Sequence, residues 1–135
     1  MVTMDHQKLR IASKTENIIQ VEKLINDVCK SFNISEDHYG NILVALTEAV
    51  NNAIQHGNKC DPNKSIDITF DSKKESISFT VKDQGEGFDF DHLPDPTNPD
   101  NIEKPNGRGV FLMRNLADKV EFSEKGRMVL LKFKI

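Results

Sequence analysis

From about residue 15 to Gly57 the apolar side chains recur at three- and four-residue steps, and from Ile66 to Val81 they alternate by twos. A chain with both periods must lay amphipathic helices on a sheet, because each pattern leaves one apolar face to be covered. Ile18, Val21, Ile25, Val28 and Phe32 mark a first helix over residues ~15 to 32, with Ser13 and Glu16 at the spacing of a capping box. Ser35 is the expected N-cap of a second helix, whose stripe runs through Tyr39, Ile42, Leu43, Leu46, Ala49, Val50, Ala53 and Ile54 to a stop at Gly57. "SIDITF" and "SISFTVKD" read as a hairpin around the polar turn from Asp71 to Glu75. "VEFS" and "MVLLKFKI" read as a second hairpin, turning at Lys125 and Gly126, with Val129, Leu131, Phe133 and Ile135 facing inward. A third helix is expected from about Val110 to Ala117, and Leu9 and Ile11 supply one more short alternation. The fold class is α+β: a two-layer sandwich with a mostly antiparallel sheet of about five strands and about three helices on one face.

The 135 residues suit one domain spanning 1–135. Between Phe88 and Asn106 the periodicity stops, four prolines intervene, and glycine pairs stand on both sides, Gly85/Gly87 and Gly107/Gly109. So long a loop is either a lid or a surface excursion. The net charge of -3 is made of interspersed signs without a basic block, so direct nucleic-acid binding is not expected. No apolar run approaches the ~20 residues of a membrane span, and "MVTMDHQKLR" lacks the apolar core of a signal peptide, which points to the cytoplasm. Cys29 and Cys60 belong to neither a CxxC nor a paired His motif, so neither a disulfide nor a thiolate metal site is expected.

The end of the second helix is unusually polar. With Leu46 at the centre of the apolar stripe and about 100° per residue, Glu48 falls near -160° and Asn52 near -120°, one turn apart on one flank. Asn51 falls near +140°, on the other flank, and His56 near -80°, at the stripe's edge. Ala45 and Ala49 leave room beside Glu48 and Asn52. Such a flank either faces water or adjoins a ligand, and His56 either packs and caps or joins the site. Counting by twos from Ile77, Phe79 and Val81 turns Asp83 inward at its strand's end, where a carboxylate needs a donor from the protein or from a ligand such as a purine amino group.

"ALTEAVNNAIQHGN", "VKDQGEGFDFD" and "NGRGVFLM" resemble, in this order and spacing, three boxes of the ATPase superfamily shared by gyrase, histidine kinases and MutL. The small size and the "GFDFD" continuation most resemble its anti-sigma factor serine kinases. The resemblance implies a histidine-kinase-like ATPase fold that uses ATP and Mg2+. Asn52 would hold the magnesium ion and Glu48 would be the general base. Asp83 would accept the adenine amino group, with Gly85 and Gly87 beside the base. Gly107 and Gly109 would let a lid at 88–106 close over the phosphates. In this chain Pro105 and Asn106 stand where relatives usually carry a basic lid residue, leaving Lys104 and Arg108 as the basic candidates among the ATP-binding residues.

The activity implied is ATP-dependent phosphorylation of a serine in an anti-sigma antagonist protein, with sequestration of a sigma factor. A homodimer is a further expectation of the resemblance. Two alternatives keep the same nucleotide site: a switch-type kinase of a stress-signalling scaffold, and an ATP-gated protein-binding module without phosphotransfer. Rossmann and P-loop chemistry do not fit, since the third glycine and the GK[ST] signature are both missing.

Overall fold

The alternating segments pair into one five-stranded sheet in a computed structural model that describes residues 6–86 and 105–135, with 105–108 described by backbone alone. In chain order the strands are β1 (His6–Ala12), β2 (Ser65–Lys73), β3 (Ser76–Lys82), β4 (Lys119–Ser123) and β5 (Met128–Lys134). Their spatial order is β1-β2-β3-β5-β4, and every neighbouring pair is antiparallel. Register follows the apolar alternation: Ile68 lies opposite Val81, which lies opposite Val129, and Phe70 opposite Phe79, which lies opposite Leu131. A shift of one residue would turn these side chains to the open face. The open face instead carries ion pairs, Arg10 with Asp67 and Lys82 with Glu124, which at such exposure contribute little stability.

Three α-helices are present among the described residues, α1 (Ile18–Ser31), α2 (Glu36–Asn52) and α3 (Pro105–Leu116). α2 lies between the other two and reaches β3 and β5 below it. Its buried side chains, Ile42, Ala45, Leu46, Ala49 and Val50, are the expected stripe. Ser35 caps it as expected, accepting the His38 N–H. None of the helices is long and apolar enough to cross a membrane.

Several local expectations need correction. Ser13 is no cap: it is 1% exposed and its hydroxyl donates to the Lys64 carbonyl, while α1 is led in by a 3-10 turn, Thr15–Asn17, without a side-chain cap. α2 loses its α-helical pairing at Asn52 and continues to Gly57 as one π-turn, closed by Asn58 N–H on the Ala53 carbonyl at 2.8 Å. The first hairpin turn is tighter than expected, since Lys73 pairs with Ser76 and only Lys74 and Glu75 connect them. α3 begins at Pro105, about five residues before the expected start. Proline suits a first helical position because that N–H needs no intrahelical partner, and Gly107 and Gly109 hid this turn from a propensity reading. Residues 105 and 106 are therefore helical, while the rest of the segment expected to form a lid lies outside the described residues. Ile135, expected inside, is 42% exposed just beyond β5.

The core centres on Phe79, fully buried on the middle strand, with ring centroids 5.2 Å from Phe70 and 6.4 Å from Phe133. Phe79→Ala should therefore cost about 3 to 5 kcal/mol in urea unfolding. A loss below about 1 kcal/mol, the scale of an ordinary surface change, would show that the sheet does not depend on this contact.

Candidate active site

A cleft of about 470 Å³ opens where the end of α2, the exit of β3, the β4–β5 connection and α3 meet. Ala49, Ala53, Val81 and Val129 give it an apolar lining, and Asn52, His56, Asp83 and Arg127 give it polar groups. An apolar hollow with a few fixed polar groups is the usual form of a small-ligand site.

Asp83 lies one residue beyond β3 and is only 8% exposed. Its Oδ1 accepts the Gly85 N–H at 2.8 Å, and its own N–H donates to the Arg127 carbonyl at 2.9 Å. Burial pushes the carboxyl above its ordinary pKa, and the Gly85 N–H and the positive charges of Arg127 and Lys64 partly offset that push. On the sides of Gly57 and Gly85 the carboxylate is closely packed, while it also lines the cleft. A Cβ at Gly57 would lie 2.4 Å from Asp83 Cγ and Oδ2, and a Cβ at Gly85 would lie 1.9 Å from the Gly57 carbonyl oxygen. Both positions therefore exclude any side chain. Gly57, read from sequence only as a helix stop, lines the cleft, whereas Gly85 stands behind Asp83 and bonds to its carboxylate.

Glu48 and Asn52 stand one turn apart on α2, both half-buried. Gly109 brings α3 against the pair: a Cβ there would lie 2.6 Å from Asn52 Nδ2 and 3.2 Å from Glu48 Oε2. Asn52 lines the cleft, whereas Asn51 accepts a hydrogen bond from Gln55 at 3.0 Å. The N-terminal end of α3, whose first N–H groups have no intrahelical acceptors, thus comes to the same end of the cleft as Asn52 and Glu48. Gly107 and Arg108 belong to that first turn by backbone, while Gly87 and Lys104 lie outside the described residues. His56 lines the cleft from within the π-turn, and burial pushes its imidazole below the usual value. Phe122, with the Arg114 guanidinium 5.9 Å from its ring centroid, Met113 and Arg127 complete the walls, and no sequence signal singled them out.

The donor set can be tested against a nucleotide and its metal. Among the described residues no three His, Cys, Asp or Glu side chains converge, so there is no protein cage for an ion. Asn52 offers one amide oxygen beside one carboxylate, which fits a magnesium ion that keeps its waters and takes phosphate oxygens as ligands. The apolar lining and the Asp83 carboxylate fit a purine ring carrying an amino group.

Sheet, helices and cleft define an ATPase-type nucleotide-binding domain, and the pattern of the histidine kinase-like ATPase domain matches residues 11–133. The chain belongs to that family. Among its relatives are proteins named serine-protein kinase RsbW. That of Oceanobacillus iheyensis is 25% identical over 138 residues, covering 97% of this chain and 87% of the relative. That of Bacillus subtilis is 26% identical over 123 residues, covering 86% and 76%. That of Staphylococcus epidermidis is 28% identical over 132 residues, covering 92% and 83%.

The raised pKa of Asp83 carries a sign. The folded state holds this proton more tightly than the unfolded chain, so stability falls as pH rises from the unfolded pKa through the folded one and stays reduced above it. Asp83→Asn keeps an acceptor for the Gly85 N–H and removes the buried charge. The variant should unfold at a higher temperature than the parent at pH 7, and the gain should vanish below about pH 3.9, where the unfolded carboxyl is protonated too. An equal gain at both pH values would remove charge burial as the cause.

Proposed function

We propose that this protein is an ATP-dependent protein-serine kinase and anti-sigma factor, which phosphorylates a serine of an anti-sigma antagonist protein and sequesters a sigma factor. The observation that carries the reading is the convergence of Glu48, Asn52 and the N-terminal end of α3 at one end of a cleft whose wall holds Asp83. Relatives named as serine-protein kinases along nearly the whole chain support the same class of reaction.

In this reading Asp83 accepts a hydrogen bond from the adenine amino group and the apolar lining covers the ring. Asn52 provides an oxygen to magnesium, which when bound neutralises phosphate charge. The free amides at the start of α3 face the phosphates, a placement favoured by the helix dipole. Lys104 supplies positive charge from the lid, which spans 88–106 of a single domain formed by the whole chain, and Arg108 supplies it from the first turn of α3. Gly87 and Gly107 flank that lid. Glu48 takes the proton from the partner's serine hydroxyl as the serine oxygen bonds to the γ-phosphorus and the bond to the β-phosphate oxygen breaks, releasing ADP. The glutamate needs no activating partner of its own, because the incoming hydroxyl becomes more acidic as it bonds to phosphorus. A homodimer and a cytoplasmic location accompany this reading. A second reading, a nucleotide-gated binding module without phosphotransfer, is favoured by one feature: Pro105 and Asn106 begin α3 where a basic residue would otherwise precede the glycines.

Two substitutions separate binding from chemistry. Glu48→Ala should cut transfer of labelled γ-phosphate into the antagonist by about 10² to 10⁴ and leave calorimetric ATP affinity largely intact. Transfer at the parent rate would show that Glu48 is not the base. Asp83→Ala should weaken ATP binding roughly ten- to a hundredfold; unchanged affinity would remove the adenine assignment. A parent protein that binds ATP and transfers no phosphate would leave the binding module as the function.

A further inference from the structure

Three chain segments present polar groups to one buried side chain next to Gly57, and that side chain bonds to all of them. Asn58 is 1% exposed. Its Nδ2 donates to Ser13 Oγ at 2.6 Å, just beyond β1, and to the Ser65 carbonyl at 3.0 Å, at the start of β2. Its Oδ1 accepts the Gln84 N–H at 2.7 Å, just past β3. Its own N–H closes the π-turn. A buried amide with its groups satisfied fixes one arrangement of the backbones it joins.

We propose that Asn58 is a positioning residue for nucleotide recognition, which holds the Asp83–Gly85 turn against the π-turn of α2. The inference rests on the reading of Asp83 as the acceptor of the adenine amino group. Gln84 N–H lies between Asp83, which lines the cleft, and Gly85, which donates to its carboxylate, and Gly57, next to Asn58, is the residue against which that carboxylate rests. The pairs 57/83 and 58/84 therefore set one register between helix end and strand end. The second link, Ser65 N–H to Gln84 Oε1 at 2.7 Å, ties the turn to β2 but leaves its main-chain N–H to Asn58. Without Asn58 Oδ1 that N–H loses its acceptor, and the turn can shift relative to Gly57. A displaced carboxylate still leaves a hollow for a purine, yet loses its aim at the amino group. The expected loss is thus in discrimination, beyond any loss of stability.

The test compares affinities for ATP and ITP, which lacks the 6-amino group, by calorimetry on the full chain. The parent should prefer ATP by about tenfold or more, as a site built to pair a donor does. Asn58→Ala should bring the ratio near unity and lower protection of the Gln84 amide from hydrogen exchange. Ser13→Ala, which spares the Gln84 bond, should lower the unfolding temperature and keep the ratio. Asn58→Asp keeps an oxygen for the Gln84 N–H and should also keep it, which serves as the deciding variant if the alanine variant does not fold. A parent ratio that survives Asn58→Ala, or falls in Asn58→Asp, would overturn the role of Asn58 and leave Asp83 in place. A parent with no preference would overturn this inference together with the adenine assignment.

Discussion

A carboxylate held out of water by two bare backbones is the constraint on which the site depends. Asp83 could be ionised and solvated one strand-end further out, at no cost in desolvation. It sits instead between the π-turn and Gly85, and the approach is so close that Gly57 and Gly85 admit no Cβ. The charge is kept by one N–H bond and two neighbouring cations, which only partly offset burial. The arrangement sacrifices stability for an acceptor that is desolvated before any ligand arrives, the kind of exchange found where function rather than folding selects the residue.

The polar end of α2 has its explanation in the same place. A helix continuing regularly past Asn52 would bring its last turn round by 100° per residue, and the chain would leave along the helix axis. The π-turn widens the helix by one residue, carries His56 to the cleft wall, and delivers Gly57 and Asn58 to the end of β3. Such single π-turns cost helical hydrogen-bond geometry and recur at functional sites. Ile42, Leu46 and Val50 remain buried in the core, while Ala49 and Asn52 line the cleft, so one helix carries both core and site.

The helices, hairpins and strand number were legible because each depends on local period, and burial of Phe70, Phe79 and Leu131 follows directly from alternation. Glu48, Asn52 and Asp83 were legible because acids and amides are conspicuous beside an apolar stripe. What stayed hidden depends on residues far apart in sequence. Ser13 has the spacing of a cap, yet its partners are Lys64 and Asn58, 51 and 45 positions away. Gly57 looks like any helix stop until Asp83 is placed beside it. Asn58 follows that stop as an ordinary loop residue would, and only the meeting of three strand ends makes it a buried hub. The early start of α3 was hidden for a local reason: two glycines lower helix propensity in the very turn where Pro105 favours initiation.

α3 joins these features to the segment before it. Its Gly109 lies so close to Asn52 and Glu48 that a methyl group would meet both, so the helix cannot move toward α2 and can move only away from it. Met113, one turn on, is buried and lines the same cleft. Any displacement of α3 therefore alters the surroundings of Asn52, Glu48 and the apolar lining together. The tight seat at Gly109 fixes the free amides of α3's first turn relative to the α2 pair. Bare backbone is thus used twice, at Gly57 with Gly85 and at Gly109, and in each case it brings a polar side chain within contact of main chain from another element. The first pair fixes the Asp83 carboxylate at the cleft wall, and the second fixes the start of α3 against Asn52 and Glu48.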